Sequence, residues 1–390
     1  MSIRDQAYVV GIYEHPTRMA ADKSLMQLHA EVAKGALDDA GLTKNDIDGY
    51  FCAAGDTPGL GALSAIDYLG LKLRHIDSTD TGGSSYLLQV GHAAEAIALG
   101  KCSIALITLA GRPRAEGMAT GTAPRSPGVP MPETPFELPY APATANMYAM
   151  AAMRHMHQYG TTSEQLAWVK VAASHHAQYN PHAMLQDVVT VEDVVNSPMI
   201  ADPLHRLDCC VISDGGGAII IAKPEIAKSL KRPLVKIRGA GEAPKHQMGG
   251  KIDLTYSGAV WSGPPAFAEA GVVPADIKYA SIYDSFTITV IMQIEDLGFC
   301  EKGQGGKFVS DGNLIAGVGK LPFNTDGGGL CNNHPSNRGG LTKVLEAVRQ
   351  LRGEAHPKVQ VANCDLALAH GTGGSLGTRH AAATVILERE

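Results

Sequence analysis

Cysteine is present without any of the spacings that give it a structural job. The seven cysteines are Cys52, Cys102, Cys209, Cys210, Cys300, Cys331 and Cys364. Their number is odd and no CxxC pair occurs, which argues against a disulfide framework and against a zinc site. Positive charge is also short. The net charge of −6 argues against nucleic acid as the main partner. No stretch approaches the roughly 18 consecutive apolar residues that a membrane-spanning helix needs. The opening MSIRDQAYVVGIYEH runs straight into a strand and lacks the apolar core of a signal peptide. A cytoplasmic protein without a membrane span is the expectation.

What is present points to an α/β architecture. Hydrophobic residues make up 45% of the 390 residues, enough for two domains with sizeable cores. The 44 glycines fall largely in short clusters between apolar runs, as tight strand–helix turns require. Ala7–Ile12, Ile47–Ala53 and Cys102–Leu109 read as buried strands. Ser24–Ala40 and Ser84–Leu99 read as helices closed by Gly41 and Gly100. Strands alternating with helices imply a parallel sheet covered on both faces. The second half repeats this plan. Val235–Gly239 and Tyr279–Tyr283 read as strands, and Ser285–Leu297 and Leu341–Arg352 as helices. Leu366–His370 leads into a glycine turn, and Ala381–Leu387 closes the chain as a strand. Two successive halves of this kind imply an internal duplication, divided as 1–232 and 233–390.

Residues 111–160 break the pattern. The run GRPRAEGMATGTAPRSPGVPMPETPFELPYAP has no periodicity and is too long for a connector, so a lid or interface segment is expected within an insertion spanning about 111–200. The helix Thr144–Tyr159 carries Met147, Met150, Met153 and Met156 at helical spacing, a stripe that more often fills a core than meets a ligand.

Four glycine-flanked turns follow strands: Asp80–Ser85, Tyr283–Phe286, Asn332–Pro335 and His370–Ser375. In open α/β sheets ligands bind beyond the carboxyl ends of strands, so four such turns in a duplicated fold are candidates for one site. His334 stands just ahead of a helix start, among backbone N–H groups suited to oxyanion chemistry.

These turns carry a resemblance. The segments YDSFTITVIMQIEDLGFCEKGQGGKFV, NTDGGGLCNNHPSNRGG, ISDGGGAIIIAK and HGTGGSLG resemble the thiolase superfamily, in particular the sterol-carrier-protein-2-type thiolases. The likeness covers essentially the whole chain. It implies two similar halves in a five-layer α-β-α-β-α arrangement, acyl-CoA thioesters as substrates, Claisen-type chemistry in lipid metabolism, and a homodimer. Coenzyme A would enter as part of the substrate, with no covalently bound cofactor and no metal. A small zinc-ribbon and OB-fold protein is a partner that the resemblance implies.

The family's site needs a nucleophilic cysteine, a histidine in an HDCF-like turn, the histidine of a GHP turn, and a second cysteine in a C-terminal glycine loop. Only His334 of these is clearly retained. The nucleophile falls at Asp80 when the internal glycine and serine are matched, or at Gly83 when counted back from Gly100. Tyr283 replaces the HDCF histidine, and Gly371, preceded by His370, replaces the second cysteine. Cys102 and Cys331 read as small buried residues.

Without the cysteine an acyl-enzyme lacks its usual route. Ser84 or Ser85 beside His334 is the unorthodox substitute. Otherwise the site suits retro-aldol cleavage of a β-hydroxyacyl-CoA, as in the nucleophile-lacking thiolase-like aldolases. There Tyr283 would act as acid/base or hydrogen-bond donor, and His334 with N–H groups near Gly83, Gly373 and Gly374 would hold the thioester oxygen. His370 is a weaker candidate. For the CoA phosphates, Arg338 is the residue put forward, with Arg112, Arg114, Lys245 and Lys251 as further basic candidates. Three readings stay open: a carbon–carbon lyase, a thiolytic acyltransferase with an unorthodox nucleophile, and a non-catalytic acyl-CoA or lipid-binding subunit.

Overall fold

The structure, a computed structural model, describes residues 2–120, 144–245, 253–335 and 339–390. Arg338, Lys251 and the proline-rich stretch 121–143 lie outside the described residues.

Eleven strands are described: β1 Tyr8–Glu14, β2 Gly49–Phe51, β3 His75–Asp77, β4 Ile104–Gly111, β5 Met199–Ala201, β6 Leu204–His205, β7 Gly215–Ala222, β8 Val235–Lys245, β9 Tyr279–Ile282, β10 Leu366–Ser375 and β11 Thr378–Arg389. Nine form one sheet in the order β3-β2-β4-β7-β1-β8-β11-β10-β9, while β5 and β6 pair separately. Its centre is the antiparallel contact of β1 with β8 through Tyr8↔Lys236 and Val9↔Val235. Reading outward on the N-terminal side, the pairings are antiparallel, antiparallel, then parallel. On the C-terminal side the same succession recurs. The duplication implied by the sequence is thus visible as a repeated topology. The sheet is mixed rather than purely parallel, because β7 and β11 run against their neighbours.

Apolar runs such as IALITLAG in β4 and GGGAIIIA in β7 are buried at every residue, since helices cover both faces. The helices Ser85–Ala98 and Leu341–Arg352 form the middle layer. Their Leu87, Val90, Val344 and Val348 share one core with Ile107 and Ile219 of one half and Ala367 and Val385 of the other. The helix Leu25–Ala40 covers the outer face of the first half through Val32 and Ala36. It starts with a Ser24/Gln27 capping box and ends at Gly41 in the left-handed conformation. Helices Ala259–Ala270 and Thr287–Asp296 cover the outer face of the second.

Two expectations need correction. The glycine run after His370 is not a turn, for β10 continues through it to Ser375. A Cβ on Gly373 would fall 1.8 Å from the Thr81 carbonyl. Glycine there lets the strand pass against the head of the Ser85–Ala98 helix. The methionine stripe is not core either. Met150 and Met153 are exposed, Met147 lines a cavity and only Met156 touches the core. The buried face of that helix is Ala145, Tyr148, Ala149, Ala151, Ala152 and His155.

Candidate active site

Tyr283 and His334 meet at the end of β9. The Tyr283 hydroxyl lies 2.9 Å from His334 Nε2, and the rings meet edge to face with centroids 5.5 Å apart. Both residues are buried. Tyr283 is held at three points of backbone. Its N–H donates to the His370 carbonyl at 3.0 Å, and its carbonyl accepts from Gln293 Nε2 at 2.7 Å. One residue earlier, Ile282 exchanges hydrogen bonds with the Asn324 amide at 2.9 and 2.8 Å.

His334 follows a wide helical turn, Gly328–Asn332, in which Asn333 N–H donates to the Gly328 carbonyl at 3.1 Å. Such turns with i→i+5 bonding gather at functional sites. Asp284, next to Tyr283, ties the two turns together. Its carboxylate accepts from Gly329 N–H at 2.8 Å, Leu330 N–H at 3.1 Å and Lys343 Nζ at 2.7 Å. From the other side, His334 N–H donates to Ser213 Oγ at 2.8 Å, and Ser213 donates to Asn333 Oδ1 at 2.6 Å. Asn333 Nδ2 donates in turn to Glu14 at 3.0 Å. Burial works against the Glu14 carboxylate, but Arg349 and Arg18 outweigh it and lower its pKa to about 2. The loop carrying the imidazole is therefore anchored, through Asn333, on the half-buried Glu14 carboxylate and its arginine partners.

Gly83 lies in the short turn Gly82–Ser84 that opens the Ser85–Ala98 helix. A Cβ there would fall 2.6 Å from the Tyr283 hydroxyl and 2.5 Å from its Cζ. The phenol thus fills the space that a side chain at the helix head would need. The first N–H groups of a helix have no intrahelical acceptor, and this head, through Gly82 and Gly83, borders the same cavity as Tyr283 and His334.

That cavity measures about 470 Å³. Gly373, Gly374 and Asp80 also line it, so of the residues singled out from the sequence it gathers His334, Tyr283, Asp80, Gly83, Gly373 and Gly374. Asp80 is occupied with the turn itself, accepting from Gly55 N–H at 3.0 Å and Gly82 N–H at 3.1 Å. Ser84, Ser85 and His370 do not border the cavity. The Ser84 hydroxyl is turned to the Thr81 carbonyl at 3.2 Å and that of Ser85 to the Gly82 carbonyl at 2.7 Å. His370 is fully buried behind Tyr283, with Nδ1 2.8 Å from Thr384 Oγ1. Burial, assisted by His380, lowers its pKa to about 3, which keeps the ring neutral.

Other residues of the wall were given no place in the site by the sequence. Tyr148 stacks on Phe286 with centroids 4.6 Å apart, and with Met147, Met118 and Ile212 they give the cavity an apolar side. Tyr148, Met118 and Ile212 carry no local motif, since they converge on Phe286 from distant segments. Cys209 and Cys210 are the cysteines in the wall. Burial raises both thiols, that of Cys210 to about 12, so neither is a ready nucleophile. Among the basic candidates, Lys245 is buried and committed to the carbonyls of Asp253, Tyr256 and Leu376. Arg112 does border the cavity. Among the described residues no group of three or more His, Cys, Asp or Glu is placed to hold a metal ion, and no helix is long and apolar enough to cross a membrane.

A buried phenol paired with an imidazole, beside a helix head and without a nearby thiolate, is equipped for proton transfer and oxyanion binding. Comparison with known proteins agrees with the fold around it. Residues 241–389 match a family model described as thiolase C-terminal domain-like. The acetyl-CoA acetyltransferase of Methanothermobacter thermautotrophicus is 34% identical, over 96% of this chain and 98% of that protein. The steroid side-chain-cleaving aldolase of Thermomonospora curvata is 34% identical, over 89% of this chain and 90% of that protein. A solved structure described as Ltp2-ChsH2(DUF35) aldolase superposes with a TM-score of 0.88 at 32% identity, covering 99% of this chain and 98% of that one. With this fold, this pair of turns and these relatives, the chain belongs to the thiolase family of enzymes.

Proposed function

We propose that the protein is an acyl-CoA lyase that cleaves a β-hydroxyacyl-CoA by a retro-aldol reaction. The observation that carries this is the Tyr283 phenol, seated over Gly83 and 2.9 Å from His334. In this reading Tyr283 takes the proton of the substrate's β-hydroxyl while passing its own phenol proton to His334 Nε2, 2.9 Å away, as the Cα–Cβ bond breaks. The electron pair flows into the thioester, whose oxygen is held by His334 and by N–H groups near Gly83 and Gly373. Return of that proton from the Tyr283–His334 pair to Cα then releases the shortened acyl-CoA and restores the pair, and the former hydroxyl carbon leaves as a ketone or aldehyde. Coenzyme A is part of the substrate. His370 contributes only through the backbone bond its carbonyl makes to Tyr283.

The aldolases among the relatives support the lyase reading. One of them is described together with a DUF35 protein, which supports a small zinc-ribbon and OB-fold partner here. A cytoplasmic homodimer, with halves divided at 232/233, completes the proposal. The acyltransferase reading has against it the hydroxyls of Ser84 and Ser85, which face the Thr81 and Gly82 carbonyls rather than His334.

The test is a set of β-hydroxyacyl-CoA and β-ketoacyl-CoA esters, each incubated with and without free coenzyme A and with and without the partner. Cleavage of a β-hydroxyacyl-CoA with no free coenzyme A is expected. Turnover confined to β-ketoacyl-CoA, and dependent on free coenzyme A, would overturn the proposal.

A further inference from the structure

We infer that Gly83 is a positioning residue that decides which group stands opposite His334, by withholding the side chain that would displace the Tyr283 phenol. The inference deepens the lyase reading and, in its catalytic consequence, rests on it.

Two pieces of chain crowd position 83. A Cβ there would lie 2.5 Å from Tyr283 Cζ, 2.6 Å from its hydroxyl and 2.3 Å from the Thr372 carbonyl, against roughly 3.5 Å for carbon contacts at rest. Tyr283 has little freedom to yield. Its backbone is fixed by His370 and Gln293, and swinging the ring away would break the 2.9 Å contact with His334. The place beside His334 Nε2 therefore holds one group only. With glycine at 83 that group is a phenol, which transfers protons. A side chain at 83 would project from the helix head into the phenol's place. Glycine thus commits the site to acid–base chemistry and excludes a covalent acyl-enzyme formed from position 83.

A cycle of Gly83→Ala, Tyr283→Ala and the double variant tests this by two readouts. The first is the thermal midpoint. The Gly83→Ala step should cost clearly less in the Tyr283→Ala background than in the native one, since the phenol is then gone. An equal cost in both backgrounds would place the conflict at the Thr372 carbonyl alone and overturn the inference. Should Gly83→Ala fail to fold, recovery of a folded double variant supports the inference and continued failure overturns it. The second readout is turnover of the cleaved ester. Folded Gly83→Ala should lose about 100-fold in kcat, with affinity for the CoA ester kept within a few-fold. Retention of native kcat overturns the inference. If the wild-type protein cleaves no β-hydroxyacyl-CoA, the lyase reading fails, while the thermal cycle still decides the role of Gly83.

Discussion

Tyr283 and His334 lean on one hydrogen bond, and substitutions on its two sides separate their roles. Tyr283→Phe keeps the ring, so the fold should persist while kcat falls about 10²–10⁴-fold, the range for a lost acid or base. In the proposed mechanism His334 is an oxyanion donor, so His334→Ala should cost about 10²–10³-fold in kcat. Steady-state kinetics with thermal melts check both, and native turnover in either variant would remove that residue from the mechanism. Both residues were legible because each stands in a distinctive string. Asp80, Ser84 and Ser85 were the weaker candidates of the nucleophile turn, and the chain uses them locally. A hydroxyl in the first turn of a helix readily bonds a carbonyl three residues back, and no string reveals when it does.

Buried histidines set a pH dependence at the same scale. Burial lowers the pKa of His29 and His176 to about 4, and that of His370 and His380 to about 3. A histidine with a depressed pKa is neutral in the native state and takes up a proton more readily when unfolded. Its contribution is complete above the ordinary value near 6.5 and is lost as pH falls towards 4 and 3. Denaturant midpoints should therefore drop between pH 7 and 5. His29, whose ring nitrogens meet Thr108 Oγ1 and the Asp56 carbonyl, offers the check. In His29→Gln the acid limb should be shallower, and an unchanged limb would show that His29 does not set it.

Among the elements, the wide turn Gly328–Asn332 leans on a residue outside itself, Asp284. Asp284→Ala would leave Lys343 buried without its carboxylate and free two backbone N–H groups of the turn. Breaking a buried pair from one side costs about 3–5 kcal/mol, so chemical denaturation should register a loss of that size, and His334 should lose its placement and with it turnover. A loss below about 1 kcal/mol, the scale of an exposed pair, would show that the turn holds itself. Regular elements were readable from their periods and caps, as in the Ser24 capping box. The wide helical form of this turn was not, because Asp284, far earlier in the chain, holds it. The extent of β10 was hidden for a related reason. Glycine signals a turn locally, whereas here it makes room for the neighbouring helix head.

Across the whole molecule, the two halves share their middle layer. Leu87 and Val90 from one half and Val344 and Val348 from the other lie in a single core, and Glu14 of β1 is paired with Arg349. Calorimetry should accordingly give one unfolding transition. Two well-separated transitions would mean that each half holds its own core independently.

By itself the sequence determined the alternation of strands and helices, the duplication, the family resemblance and the two turns bearing Tyr283 and His334. Those are properties of local strings and of their repetition. The tertiary structure alone decided that the phenol fills the space over Gly83, that the two serines face away, and that Tyr148, Phe286 and Cys210 form the wall. These depend on distances between segments tens to hundreds of residues apart, which periodicity and spacing do not encode. Gly83 shows the difference most directly: in the sequence it is one glycine among 44, and in the fold its missing side chain is the space that the Tyr283 hydroxyl occupies.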